Sequence, residues 1–295
     1  MNGVSDLSSR VPLGETGIQV SRLGIASSYG VSREACLHAY DAGINYFFWG
    51  SIRTAGMARA IRDLAPTHRD DLCVVLQCYA RRPSLVSKSI RRGLEALRLE
   101  YADVLLLGWH EKAPSHRVLD AVEEERRNGT FKHLAISSHT RPLFRDFMED
   151  GRYGVFHVRY NAAHVGAEKD LFPYLPEGGA CGAPEASSPD DALAPALPPG
   201  TGPGIVAFTC LRWGDLLDPK KMPPGEAPLT AAECYRFALS NPRVHVAISG
   251  PRTDEEMRHT LGVLEAGTLD VEEMARVRAI GDHVYRQKSI ADWFR

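Results

Sequence analysis

Short apolar runs rich in β-branched residues recur along this chain, and stretches of helical periodicity separate them. Eight such runs stand at 20–26, 44–48, 72–79, 103–109, 133–137, 155–160, 205–209 and 244–249. Continuous apolar runs suit strands covered on both faces, as in a parallel sheet, rather than half-exposed antiparallel strands. Between them the period changes: Val86, Ile90, Leu94 and Leu97 share one helical face, as do Met257, Leu261 and Leu264. Ser115 stands before a stretch holding Val118, Leu119 and Val122, and Gly129 ends it in the manner of a C′ glycine. Strand then helix, eight times at a spacing of about 30 residues, predicts an α/β fold of the closed (β/α)8 TIM-barrel type. An open doubly wound sheet usually has fewer strands and a Gly-rich first turn, and no GxGxxG is present.

Composition narrows the function classes. A chain of 295 residues fits a single barrel domain spanning 1–295. Thirty-five basic residues against 37 acidic ones give a net charge of −2, which lacks the basic excess expected of nucleic-acid or membrane-surface partners. The longest apolar stretches, such as Val104 to Leu107, fall far short of the roughly 20 residues that cross a bilayer. Residues 1–10 are polar and Ser-rich, without the apolar core of a secretory leader, so a cytoplasmic location is expected. Six cysteines, at 36, 73, 78, 181, 210 and 234, form no CxxC pair, and free thiols in a reducing compartment are expected. No HExxH or paired Cys/His spacing suggests a metal. Residues 176–204 hold seven Pro and six Gly, 13 of 29 positions, and predict a long flexible loop before the seventh strand.

Several segments carry a resemblance. LGETGIQVSRLGIAS near the start, AYDAGINYF, YADVLLLGWH, YNAAHVGAEKDLFPYL and TAAECYRFALSNPRVHVAISGPRTDEEM together resemble the aldo-keto reductase family, over nearly the whole chain from about Val11 to Val277. The resemblance implies the barrel fold and NADPH- or NADH-dependent carbonyl reduction. It also implies a Tyr proton donor tuned by an Asp–Lys pair, with a His orienting the carbonyl. At the corresponding positions this chain has Phe48 for the Asp, Arg53 for the Tyr, Cys78 or Tyr79 for the Lys, and Gly108 for the His. The chain thus reads as a divergent, tetrad-deficient relative. The loss is coherent, because an apolar Phe48 leaves no buried charge without its partner.

Replacement chemistry is sought at the same strand ends. Tyr79 brings a phenol, His110 lies two residues past Gly108, and Arg53 brings a permanent cation able to bind an anion or polarise a carbonyl. For the cofactor, the resemblance assigns Ser137, Ser138 and His157 to the nicotinamide amide. It assigns Phe208 to ring stacking, with Thr209 and Leu211 following it. Gly250, Arg252 and Thr253 form a phosphate turn at a helix start. His157 and Arg159 alternate on one strand and point inward if Tyr160 faces the helices, and Arg159 with Arg53 and Arg212 favours an anionic small-molecule substrate. Three functions follow: an aldo-keto-reductase-like oxidoreductase with a non-standard site; a non-redox enzyme acting on an anionic small molecule; or a catalytically inactive nucleotide-binding or scaffold protein on the same barrel.

Overall fold

A computed structural model describes residues 5–50, 52–176 and 202–287. Most of the segment rich in Pro and Gly, 177–201, lies outside the described residues, as does Cys181. The chain opens with a hairpin, β1 (Val11–Pro12) and β2 (Gln19–Val20), and then alternates strands with helices. The strands are β3 (Leu23–Ala26), β4 (Tyr46–Trp49), β5 (Cys73–Cys78), β6 (Ala102–Leu107), β7 (Phe131–Ser138), β8 (Tyr153–Arg159), β9 (Gly204–Phe208) and β10 (Val246–Ser249). All pair in parallel, and β10 closes on β3, so the eight form the closed barrel that the alternation predicts. The helices around it are α1 (Arg33–Asp41), α2 (Ala55–His68), α3 (Pro83–Leu97), α4 (His116–Arg127), α5 (Leu143–Asp150), α6 (Ala167–Asp170), α7 (Ala231–Leu239) and α8 (Asp254–Ala266), with α9 (Val271–Arg286) after the last repeat. Among the described residues, no helix is long and apolar enough to cross a membrane.

Local signals explain the helices. In α3, Pro83 opens the first turn and Val86, Ile90, Leu94 and Leu97 are buried, the stripe expected from their spacing. Gly129, just past α4, is left-handed (φ 77°). Thr230 and Glu233 form a reciprocal capping box on α7, and Thr253 accepts from the Glu256 N–H at the start of α8. Each such cap contributes about 1 kcal/mol.

Two apolar cores result. Strand side chains that point outward, among them Phe47, Leu76, Leu105, Phe156 and Tyr160, pack against the helices. Those that point inward, Tyr46, Cys73, Val75, Val104, Leu106, Ala135, Val155, Val206 and Val246, fill the barrel, with Phe48 and Ile248 packed on them. The hairpin adds Val11, Leu13 and Val20 to this inner core and closes the end where the strands begin. Gly14 permits that closure: its φ is 52°, and a Cβ there would lie 2.3 Å from the Gly204 nitrogen. At the opposite end, where the strands finish, the loops that follow them begin.

Candidate active site

The strand order brings the ends of β4, β5 and β6 together, and β5 supplies a side chain that the sequence reading passed over. Its inward residues are Cys73, Val75 and, by alternation, Gln77, which lies opposite Leu106. A Cβ at Gly50 would lie 2.4 Å from Gln77 Cβ, and one at Gly108 would lie 2.6 Å from Gln77 Nε2. The two glycines therefore leave the space that the Gln77 amide occupies. Cys78 points the other way, into the helix-facing core, so it is not the interior residue at the end of this strand; Tyr79 already lies beyond it. That corrects the register expected for β5. Gln77 Oε1 is buried without a hydrogen-bond partner among the described residues, which costs about 1–3 kcal/mol.

Tyr79 is half-exposed, with its ring against Gly108. Arg81 ties this loop to the next one, donating from Nη2 to the carbonyls of Gly108 (2.7 Å) and Trp109. Trp109 has a left-handed backbone (φ 44°). β6 ends two residues earlier, so strand alternation does not reach His110, and the argument that would aim it beside Gly108 fails there. His110 is buried, its backbone N–H donates to the Ser137 carbonyl (2.9 Å), and its Nε2 has no hydrogen-bond partner among the described residues. Burial and nearby Arg81 push the imidazole down to about 4, so it is neutral at pH 7. Arg53 is exposed and left-handed (φ 56°), with its stem beside Gly30.

On the other side of the mouth, β7 to β9 place the residues assigned to the cofactor. Ser137 Oγ accepts from the Trp109 N–H (2.8 Å), and Ser138 Oγ accepts from the Thr140 N–H (2.9 Å). His157 is buried, its Nε2 lies 2.9 Å from the Tyr46 hydroxyl, and burial lowers it to about 3. These three groups are engaged inside the chain. Phe208 is half-buried at the end of β9, with its ring 5.7 Å from that of His139, which lies 5.8 Å from that of Trp109. His139, lowered to about 4 by burial and then by Arg159, thus joins an aromatic row across the ends of three loops. The Thr209 carbonyl (φ 58°) accepts from Asn161 Nδ2 (2.8 Å), and the Leu211 carbonyl accepts from the Gly214 N–H.

After β10, Gly250 gives room to the Tyr29 ring, and the Arg252 guanidinium lies 5.3 Å over that ring. The Arg252 N–H donates to Glu256 (2.7 Å) and Thr253 caps α8, so this turn is closed by its own side chains while Arg252 stays exposed. Thr260 is buried against Ser249 (3.2 Å) and serves packing.

Backbone strain gathers at this end. Among the described residues, six non-glycine residues have positive φ, and five of them (Arg53, Trp109, Thr209, Arg212, Trp213) lie in loops that follow barrel strands. Each costs on the order of 1–3 kcal/mol, and such residues cluster at functional sites. Among the described residues, no group of three or more His, Cys, Asp or Glu could hold a metal ion.

No family model matches the sequence. The chain is similar in structure to an aldo-keto reductase, AKR11C1, from Bacillus halodurans. Against its holo form the TM-score is 0.72 at 14% identity, covering 92% of this chain and 96% of that one. Against its apo form the values are 0.70 and 16%, covering 92% and 95%. In sequence it is similar to an L-galactose dehydrogenase of Arabidopsis thaliana, 24% identical over 196 residues, which span 57% of this chain and 61% of that relative. The eight-stranded barrel of this chain is therefore the fold of the aldo-keto reductases.

Proposed function

We propose that this protein is an oxidoreductase of the aldo-keto reductase type in which a neutral amide, rather than a proton-donating tyrosine, polarises the carbonyl. The Gln77 amide, whose Oε1 is buried without a hydrogen-bond partner among the described residues, carries the reading. It lies between Gly50 and Gly108 at the end where the strands finish, beside Tyr79. The orphaned oxygen can accept from a ligand, and the Nε2 donor of the same amide, aimed at a developing oxyanion, lowers the barrier.

Some residues fit a nicotinamide nucleotide. Phe208 offers a half-exposed ring, Arg252 is exposed at the start of α8, and the orphaned Gln77 oxygen is an acceptor. Ser137, Ser138 and His157 already have partners, so the amide clamp implied by the resemblance needs them to exchange those partners. A bound NAD(P)H would supply the hydride. The chain's own part is to hold the carbonyl oxygen at Gln77 Nε2, to exclude water with the Trp109–His139–Phe208 row, and to return a proton to the product alkoxide from the Tyr79 hydroxyl or water. His110 and His139, neutral at pH 7, are hydrogen-bonding groups rather than acids.

The test is fluorescence titration with NADPH and NADH, followed by turnover on a panel of aldehydes, ketones and quinones. The reading expects saturable binding and oxidation of the bound nucleotide with one class. No binding at millimolar nucleotide overturns it. A second reading, a binding barrel without turnover, is favoured by the internal engagement of Ser137, Ser138 and His157. Binding without oxidation of any compound selects it.

A further inference from the structure

The end of β8 presents a cation in an unusual setting. Val155 belongs to the inner core, so alternation sends His157 and then Arg159 toward the barrel axis. Tyr160 packs outward, meeting the condition on which the inward reading depended. Arg159 is only half-exposed, and no carboxylate among the described residues lies within salt-bridge reach of it.

The acids that might have neutralised it are committed elsewhere. Glu168 accepts from the Tyr160 hydroxyl (2.6 Å) and from Arg278 (2.8 Å). Asp170 accepts from Arg141 Nε (2.9 Å). Asp215 takes Arg212 (3.3 Å) and Lys221 (2.6 Å). Burial destabilises the charged Arg159, and Arg141 and Arg212 add repulsion. A guanidinium held like this costs the fold free energy unless a ligand supplies the missing anion. Its neighbours suggest the rest of that ligand. Arg159 lies opposite Phe208 in the β8–β9 register, and the Phe208, His139 and Trp109 rings form a row beside it, successive rings tilted by 53° and 54°.

We propose that Arg159 is the receptor for a carboxylate or phosphate oxyanion on the ligand that enters this mouth, with the flat part of that ligand lying along the Phe208–His139–Trp109 row. The two sources share one chemistry, a planar or tetrahedral oxyanion accepting from a guanidinium fork. The proposal deepens the reading of this mouth as the reaction site and rests on it, so its test is run without nucleotide.

Benzoate, phenyl phosphate and neutral benzamide are titrated into the wild-type chain, with Trp fluorescence and calorimetry as readouts. At least one oxyanion is expected to bind tenfold or more tightly than benzamide. Preference for benzoate identifies a carboxylate ligand, and preference for phenyl phosphate a phosphate ester. Arg159→Gln is expected to weaken oxyanion binding tenfold or more while leaving benzamide unchanged, and Arg159→Lys to fall between. Benzamide binding as tightly as both oxyanions overturns the proposal, as does failure of both to bind at millimolar concentration. Unchanged oxyanion binding in Arg159→Gln does the same. If that variant does not fold, the wild-type comparison decides alone. Oxyanion binding together with failed NADPH and NADH titrations would remove the redox reading while leaving the receptor in place.

Discussion

The two ends of this barrel treat buried polar groups in opposite ways. At the end where the strands begin, Asn45 accepts from the Ser21 N–H and donates to the carbonyls of Gln19 and Asp71. Asp103 accepts from Arg69 (2.8 Å), Lys132 (3.3 Å) and the Val74 N–H (2.9 Å), and His245 Nδ1 accepts from the Ile205 N–H (3.0 Å). At the end where the strands finish, Gln77 Oε1 and His110 Nε2 are buried without partners among the described residues, and no described acid pairs with Arg159. The left-handed residues collect there too. Both ends belong to one closed sheet, so the difference is not one of fold. The groups named at the first end are paired within the chain, whereas those at the other hold bonding capacity in reserve, the division of labour expected between the two faces of such barrels.

That comparison breaks most easily at the satisfied end. Asp103→Ala leaves Arg69 and Lys132 without their shared carboxylate and the Val74 N–H without its acceptor, and should cost about 3 kcal/mol of stability. Urea denaturation measures it; a loss under about 1 kcal/mol would mean that this network does not hold the lower end together.

Acid is the next lever, and it acts on both ends. His157 and His245 are each held down to about 3. Above an ordinary imidazole value both states are neutral and stability is flat. Below it the unfolded chain takes up protons that the folded chain refuses, so stability falls from about pH 6.5 downward and levels off near the folded values. At pH 5 each buried ring should cost about 2 kcal/mol. Denaturation midpoints at pH 7.5 and 5 check this, and His157→Asn should flatten part of the slope.

The smallest effect belongs to the unsatisfied end. Arg159→Met removes a half-buried cation flanked by Arg141 and Arg212, and should raise stability by about 1 kcal/mol. A clear loss of stability instead would show that Arg159 has a structural partner.

Periodicity carried most of the architecture and little of the site. All eight barrel strands fall on the apolar runs, because a strand covered on both faces must be apolar along its length. Cys36, Cys73, Cys78, Cys210 and Cys234 are free and buried, as their settings suggested. Phe208 and the turn at 250–253 stand at the ends of barrel strands. Gln77 escaped notice although it interrupts the apolar run Val74-Val75-Leu76, because a one-residue error in register exchanges the interior face for the helix face. Strand alternation does not reach His110, because the left-handed Trp109 ends it, and a single φ cannot be read from residue type. The partners of Ser138 and His157 depend on neighbours that only the closed barrel supplies.

The central claim is that the open end trades stability for chemistry, and Gln77→Leu tests it most directly. The substitution keeps the volume and removes the orphaned amide. The account predicts a variant at least as stable as the wild type in urea, with kcat/KM lowered about 100-fold on any carbonyl compound the wild type reduces. A variant that is clearly less stable, or one that reduces the same compound at the wild-type rate, would contradict it.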